Sequence, residues 1–453
     1  MPIPPEHAWR HLYHFTLLEN LEGVLRHGFV SCNEQIRMGI SHKSIASDSI
    51  QERRAKMTVP CGPGGVVHDY VPLYFSMLSP MLLQLLNAKN VDQEYLLHFA
   101  FPISLTERPD VVFTDASANR IEQPNFFEDP ADLARLNWTA IDLKKWGSTD
   151  ERTKQMRMAE ALVHQKLLHS DAAYVLVWNV SVKERVEAIF HKVGVPLPNI
   201  VFNGHMGHHP WFTNFRTELP EDMKQRTIAH GPAVIRACYD RIIGEILSGR
   251  KAAPPSPRFE SLAALLEALR TTGLAVLPET AELVGLASAN EVHERDVGEH
   301  TLQVVSNLCA SPEYAALSPE DQILTELAAY VHDIGKGPKS RWDRCGGRQQ
   351  VDNNHPIRSA EMLKRILLEE VAALSEREIR VLTKLVCYHD LVGDICGRGR
   401  KRQQLIDIAD DSRDVDMLVA IGHADALSVR EAWGQLISSQ VSELRTWAMS
   451  EIS

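Results

Sequence analysis

The run Ser248-Gly249-Arg250-Lys251-Ala252-Ala253-Pro254-Pro255-Ser256-Pro257 divides this chain into two hydrophobic textures that one fold cannot share. Rich in proline and small residues, it reads as an exposed linker. Before it lie short apolar runs between turn signals: Tyr70–Phe75, Tyr95–Phe101 and Ala173–Val180. Their β-branched and aromatic content marks them as buried strands. Residues 220–248 look helical, and beyond 258 the pattern is almost wholly helical. At 453 residues, two or three domains are expected. The expected division is 1–216, an α+β domain; 217–257, a helical connector and linker; and 258–453, an all-α domain. Two helix starts are well marked. Ser318-Pro319-Glu320-Asp321 offers an N-cap serine before proline, followed by a stripe of Leu324, Leu327, Ala328 and Val331 up to Gly335. Ser375-Glu376-Arg377-Glu378 has the capping-box pattern, followed by Ile379, Leu382, Leu385 and Val386.

Composition excludes several classes. Hydrophobic residues are 44% and charged residues 24% of the chain, an ordinary globular balance. No stretch approaches the ~20 uncharged apolar residues of a membrane span. The start, Met1 to His7, lacks the basic and apolar regions of a secretory signal. The 7 cysteines are scattered, with no Cys-x-x-Cys, so free thiols in a reducing cytoplasm are expected. The net charge of −11 falls mostly after residue 216, which leaves the near-neutral first part able to carry a basic groove.

Four clusters in residues 1–216 could support glycosyl transfer. They are Tyr13-His14-Phe15-Thr16 with Asn20-Leu21; Ser49 to Arg54; Val59-Pro60 with Gly62 to Pro72; and Arg157 to Val163. Breaking a nicotinamide–ribose bond builds positive charge on the ribose. A carboxylate can stabilise that charge, orient the ribose hydroxyls or take a proton from the acceptor. An arginine can hold a diphosphate or acceptor group with forked donors. His14 and Thr16, two apart on a strand, share a face. Glu160 follows a polar helical stretch that opens on a Ser148/Glu151 capping pattern, and it precedes apolar Ala161-Leu162-Val163. That would put it at a strand edge facing a cleft. Each feature alone also fits a satisfied core group or a solvated face. Gly62-Pro63-Gly64-Gly65 is a turn and not a phosphate loop, because no Lys-Ser/Thr follows.

Taken together, residues 10–215 resemble the DarT family of NAD-dependent ADP-ribosyltransferase toxins that modify DNA. The likeness rests on Tyr13-His14-x-Thr16, Asn20-Leu21, Ile50-Gln51-Glu52-Arg53-Arg54 and Pro63-Gly64-Gly65-Val66-Val67-His68-Asp69-Tyr70-Val71-Pro72. Tyr74-Phe75, Ser79-Pro80-Met81-Leu82, Phe113-Thr114-Asp115 and Ala159-Glu160-x-Leu162-Val163 continue it in order. The branch it resembles modifies thymidine in single-stranded DNA. The resemblance implies a split β-sheet with helices, NAD as donor, Glu160 as the catalytic carboxylate and Arg54 as the arginine in the cleft. His14 and Thr16 would lie at the nicotinamide ribose, with Asn20 nearby; Tyr13 and Leu21 complete the implied cofactor set. Residues 31–60 would cover NAD, and the loop before Glu160 would face DNA. Arg53, Lys56, His68 and Tyr70 are candidates for base stacking or phosphate contact. His42 and Ser47 have no counterpart in the match. The histidine-rich tail Asn203 to Phe212 reads as a closing strand and aromatic plug ahead of a metal site.

The acidic second part holds His300, His332-Asp333 and Asp425, with His355 and His389 between them. Imidazole and carboxylate ligands from separate helices suit a divalent ion in a bundle. The order His…His-Asp…Asp, with Gly335-Lys336 after the pair, resembles the HD phosphohydrolase superfamily. Val276 to Leu302, and His355 followed by Ser359-Ala360-Glu361, resemble the HD domain of bacterial tRNA nucleotidyltransferases, whose catalytic domain this chain lacks. The likeness covers about 272–430. It implies His300, His332, Asp333 and Asp425 as ligands of one divalent metal (Mn, Fe, Mg, Ni or Co). His355 and His389 would serve a second metal or the leaving phosphate. His423 and Asp390 are expected to be neighbours. The expected whole is a cytoplasmic, toxin-like or phage-defence transferase acting on single-stranded DNA, with an HD domain that regulates or complements it and an antitoxin protein as a further partner. Two rivals stand beside it. One is an HD nucleotide or RNA phosphohydrolase whose first domain binds a nucleotide. The other is a non-catalytic HD docking or antitoxin-like module.

Overall fold

The computed structural model describes residues 2–43, 48–118, 123–143, 150–204, 208–213, 228–251, 256–289, 295–429 and 431–452. The chain forms two compact units: Met1–Asn87 with Val91–Thr213, and Asn214–Ser453 with Ala88–Asn90.

The first unit is built on ten strands: β1 (His11–Leu17), β2 (Phe29–Val30), β3 (Tyr70–Tyr74), β4 (Leu96–Pro102), β5 (Val111–Thr114), β6 (Phe126–Phe127), β7 (Glu160–His164), β8 (Lys166–Leu167), β9 (Tyr174–Leu176) and β10 (Ile200–Val201). Eight form a mixed sheet in the order β10-β9-β4-β1-β3-β7-β5-β6, and β2 pairs with β8. β1 is laddered to β4 from His11 to Leu17, and β3 to β7 from Tyr70 to Tyr74. Between β1 and β3 only Tyr13 and Tyr74 are paired, so the sheet splits there. The cause lies in β3. Pro72 has no N–H to offer a neighbour, and its carbonyl accepts from His14 Nδ1 at 2.8 Å instead of from the β1 backbone.

Alternation places Leu12, Leu73, Phe99, Phe113, Ala161 and Val163 on one face, buried against Leu21, Leu25, Val182, Val186 and Phe190 of the Leu21–His27 and Val180–Val193 helices. The other face is covered by the 57–67 loop, through Val59 and Val67, and by Trp211, which packs on Tyr13, Ala100 and Leu176. Trp211 and Phe212 are buried, as an aromatic plug requires. His205 of that tail lies outside the described residues. The helix before Glu160, Glu151–Arg157, is capped by Asp150, whose carboxylate accepts from Arg152 and Thr153 N–H groups. The cap is therefore not the expected Ser148, which lies outside the described residues; a carboxylate satisfies two N-terminal donors at once.

The second unit is helical. Ser318 and Ser375 cap the Pro319–Val331 and Glu376–Cys387 helices, and Ser375 with Glu378 closes a capping box. The Pro319–Val331 helix ends before Gly335 and continues as a turn at Ile334–Lys336. The Pro232–Gly249 helix contributes Ile235, Ile242, Ile243 and Ile246 to the core of this unit. The seam is docked at its start: Arg250 Nη1 donates to the carbonyls of Val371 (2.6 Å) and Leu367 (3.3 Å). Pro254 and Pro255 lie outside the described residues.

Gly335 marks the tightest backbone approach. A Cβ there would lie 2.3 Å from Ser359 N and 2.5 Å from His355 O. Gly335→Ala is expected to cost about 3 kcal/mol, the upper part of the overpacking range. Urea unfolding followed by circular dichroism measures it.

Candidate functional site

Glu160 opens β7 and is 1% exposed; Arg54 closes the Asp48–Arg54 helix and is 9% exposed. They form a two-pronged pair, Nη1 to Oε1 at 2.9 Å and Nη2 to Oε2 at 3.0 Å. Ala118 N–H also donates to Oε1 (2.8 Å), and Glu160 N–H donates to Thr114 Oγ1 (3.3 Å). Burial alone would depress the Arg54 guanidinium, but the Glu160 carboxylate outweighs it and raises the pKa. Tyr74, directly across the ladder from Glu160, has its hydroxyl pushed up by burial and then by the Glu160 charge. The arrangement is a carboxylate held in fixed orientation at the start of β7, across β3 from Tyr74. Such a charge can stabilise a cationic ribose without reorganising.

His14 occupies the split. A carbonyl cannot donate, so His14 Nδ1 carries the proton toward Pro72 O and Nε2 is left as an acceptor. Burial lowers its pKa. Thr16 shares its face. Asn20 reaches Thr16 Oγ1 at 3.5 Å, and it ties Lys43 by both peptide groups: Lys43 N–H to Oδ1 (2.9 Å) and Nδ2 to Lys43 O (3.1 Å). Asn20 therefore pins one end of the 31–43 segment beside Thr16.

Two members of the expected cofactor set are not brought to this group. Tyr13 points away from His14 and Thr16, onto the face that also carries Tyr74 and Glu160, and packs among Ala100, Leu176 and Trp211, because neighbours along a strand alternate. Leu21 is fully buried in the core under the Leu21–His27 helix. Among the nucleic-acid candidates, Arg53 and Lys56 are exposed at the end of the Asp48–Arg54 helix and just past it. His68 is half-buried, 3.0 Å from Gln51 Oε1, with its pKa lowered by burial and by Arg54. Tyr70 has no face for a base: it is 2% exposed, and its hydroxyl donates to Gly64 O at 2.7 Å. The 57–67 loop covers it. His42 is exposed; Ser47 lies outside the described residues. Sequence reasoning gave no role to Tyr74, Thr114 or Ala118. Only the strand register brings them to Glu160.

In the second unit, five segments converge. His300 Nε2 lies 3.1 Å from Asp425 Oδ1 and 3.4 Å from Asp333 Oδ2. His332 Nε2 lies 3.3 Å from Asp333 Oδ2. His355 Nε2 lies 3.1 Å from Asp333 Oδ1 and 3.2 Å from His389 Nε2. Asp333 thus belongs to two ligand groups, one with His300 and His332 and one with His355 and His389. Nδ1 of His332, His355 and His389 faces the carbonyls of Ala329 (2.8 Å), Asp352 (2.8 Å) and Val386 (2.9 Å). Ser428 donates to Asp425 O (2.6 Å), so its hydroxyl oxygen accepts from His300 Nδ1 at 3.0 Å. Hydrogen-bond logic therefore fixes all four rings as Nδ1–H tautomers, with Nε2 lone pairs pointing inward. Buried His332 Nε2 has no hydrogen-bond partner. Four inward lone pairs and two carboxylates fit a divalent cation. Asp333 raises the His332 pKa against the effect of burial, while burial and the neighbouring His332 push His389 down to about 4. Asp352 steadies His355, its own carboxylate gripped by Arg341 and Arg358 at 2.8 Å each. His423 is engaged by Glu313 and Ser438, and Asp390 by Arg400 at 3.5 Å, which keeps both out of the ligand set.

A split mixed sheet with a buried acid–arginine pair at the start of β7, joined to a helical unit with inward histidines, defines a transferase–HD class of protein. The family described as "ssDNA thymidine ADP-ribosyltransferase, DarT" matches residues 13–207, and the HD domain family matches residues 297–412. The DNA ADP-ribosyl transferase of Thermus sp. (strain 2.9) is 34% identical over 180 residues, 39% of this chain and 84% of that protein. The DNA ADP-ribosyl transferase of Thermus aquaticus is 31% identical over 183 residues, 39% of this chain and 79% of that protein. The structure of Thermus sp. 2.9 DarT in complex with NAD+ superposes with a TM-score of 0.38 at 27% identity, covering 44% of this chain and 96% of that one. The chain belongs to the DarT family of DNA ADP-ribosyltransferases and carries an HD domain at its C-terminal side. No described helix is long and apolar enough to cross a membrane.

Proposed function

We propose that this protein moves ADP-ribose from NAD+ to a base of single-stranded DNA, thymidine favoured, and that its HD unit restrains or complements that reaction. The observation that carries this reading is the buried, two-pronged Glu160–Arg54 pair. In it Glu160 stabilises the positive charge that grows on the ribose as nicotinamide leaves. Arg54 fixes the carboxylate and leaves one guanidinium edge to orient a ribose or acceptor group. His14 and Thr16 hold the nicotinamide ribose, and a ring nitrogen of the unstacked base attacks C1′ as nicotinamide departs, its N–H proton passing to the Glu160 carboxylate. Single-stranded DNA lowers the cost of presenting that base. Arg53 and Lys56 are assigned to phosphate contact. On this reading the transferase domain is 1–216, the connector 217–257 and the HD domain 258–453, in a cytoplasmic toxin or phage-defence protein with an antitoxin partner.

The test is NAD+ with single-stranded oligonucleotides of varied sequence, read by mass spectrometry of the DNA. One ADP-ribose on a thymidine-containing strand supports the reading. No gain on any DNA, with NAD+ bound, defeats it. Asn20→Ala separates tethering from chemistry. Two hydrogen bonds of about 1 kcal/mol each hold Lys43. Their loss is expected to raise KM for NAD+ by about tenfold with kcat little changed, and to expose the chain near Lys43 to protease.

The inward histidines favour a second activity beside the first. His300, His332, Asp333 and Asp425 would hold one divalent ion, with His355 and His389 available to a second or to the leaving phosphate. Such an ion supplies Lewis-acid charge for phosphoester hydrolysis. Lys336, 2.6 Å from Asp333 Oδ2, steadies the ligand carboxylate from outside. Divalent-metal-dependent release of phosphate or nucleotide, lost in His332→Ala, tests it.

A further inference from the structure

The Nδ1 of His230 is buried and has no hydrogen-bond partner. A buried polar atom left bare costs free energy and calls for a cause. His230 stands just ahead of the Pro232–Gly249 helix. Its N–H donates to Asn354 Oδ1 at 2.8 Å, one residue before the ligand His355. Burial lowers the pKa of the ring, Asp352 raises it, and Arg358 and Lys89 lower it again. Such effects fade with distance, so the ring lies close to all three charges. Lys89 belongs to this helical unit and pairs with Asp390, which follows the ligand His389. His230 is thereby placed beside the His355–His389 end of the metal site.

Arg358 stands at the same end. It lies three residues after His355 on the His355–Arg365 helix, and residues so spaced share a face. Both are tied to Asp352: His355 Nδ1 to its carbonyl at 2.8 Å, Arg358 Nε to its carboxylate at 2.8 Å. The Arg358 side chain is 47% exposed, and among the described residues neither Nη group has a hydrogen-bond partner. The neighbouring cations are committed. Arg341 gives Nη1 to Gly335 O and Nη2 to Asp352, with its plane over Trp342. Lys336 is held by Asp333. His355 is the most exposed of the four inward histidines, so the ligand group opens on this side. An open guanidinium fork and an unanswered imidazole suit a phosphate oxyanion. Spacing selects the phosphate. Tied to Asp352, the guanidinium stays one helical turn, about 5.4 Å, from the His355 ring. Two phosphates joined through one oxygen fit that interval; two phosphates with a sugar between them do not.

We propose that Arg358 and His230 form a phosphate subsite beside the metal ligands, and that the HD unit takes compounds with two phosphates joined by one oxygen, inorganic or on a nucleoside. The first phosphate lies at the metal ligands and the second on Arg358 and His230. The proposal rests on the phosphohydrolase reading of this unit given above, and the two fail separately. The full-length chain, loaded with Mn2+ and dialysed free of excess, is titrated in a calorimeter. One pair of probes is methylenediphosphonate, whose bridging carbon resists hydrolysis, against methylphosphonate, which has a single group. The other is α,β-methylene-ADP against AMP. Wild type is expected to bind the doubly charged member of a pair about tenfold more tightly, within the worth of hydrogen bonds to a charged group. A gap in the first pair assigns the inorganic unit, and a gap in the second alone assigns the nucleotide. In Arg358→Gln the gap closes. His230→Asn narrows it, and Arg358→Lys restores part of it, because the charge survives and the fork does not. Metal content by elemental analysis stays that of wild type in all three. No gap in either pair, a gap that survives Arg358→Gln, or loss of Mn2+ from that variant overturns the subsite. Failure of the wild-type chain to release phosphate from any compound with Mn2+ defeats the phosphohydrolase reading and leaves the binding gap to decide the subsite alone.

Discussion

Glu160→Gln is expected to leave the fold in place and lower the rate of transfer to DNA by about a thousandfold, the upper part of what one preorganised electrostatic group is worth. The substitution keeps the shape of the side chain and an oxygen to accept from Ala118 N–H, now 2.8 Å away. It removes the negative charge. In the ground state that charge is answered by Arg54. As the glycosidic bond lengthens, a second positive charge appears, and a neutral amide cannot meet it. The loss should therefore fall on kcat more than on KM for NAD+. Stability is the control. Arg54 loses its anion in a buried setting, and breaking a buried pair can cost about 3–5 kcal/mol. Melting by circular dichroism must accompany the rate. Arg54→Lys is the companion: a lysine keeps the charge but cannot make both bonds at 2.9 and 3.0 Å, so it should lose activity while melting closer to wild type than Arg54→Ala. A Glu160→Gln protein that transfers at the wild-type rate would remove Glu160 from the chemistry.

The second large effect concerns the helical unit. Saturating it with Mn2+ should raise its resistance to unfolding, by about 2.7 kcal/mol at a hundred times Kd, and a chelator should reverse the gain. Asp333→Asn should abolish the Mn2+-dependent shift, because Asp333 belongs to both ligand groups. His389→Ala removes a ligand from one group only, so it should weaken the shift without erasing it. Metal content by elemental analysis and melting temperature with and without Mn2+ read these outcomes apart from any catalytic assay. A melting curve indifferent to Mn2+ and its congeners would contradict the cation site.

Much of the second unit was legible because helices announce themselves locally. Ser318 and Ser375 cap where their hydroxyls and the following acids indicate, and the histidines fall at helix ends or on inward faces. Ser428, which fixes the tautomer of His300, lies three residues after Asp425, one helical turn away, and a search along that face would have found it. The first unit was less legible because strand partners are remote. Arg54 and Glu160 are 106 positions apart, and only the resemblance joined them beforehand. Tyr70 was a candidate for base stacking or phosphate contact, yet its face of β3 lies under the 57–67 loop. Tyr13 and Leu21 belong to the matching motif for structural reasons: one anchors the C-terminal tail of the unit, the other the first helix. Thr114 and Ala118 act through a hydroxyl and a peptide N–H whose positions depend on register alone.

A cleft between neighbouring strands would ordinarily zip shut, since bare peptide edges attract one another. Here the closure lacks a single hydrogen atom. The imino acid at the midpoint of β3 has none to give, and an imidazole has claimed the oxygen beside it. The opening is thus written into the chain as an omission, and the free energy of keeping the two edges apart was spent when the protein folded.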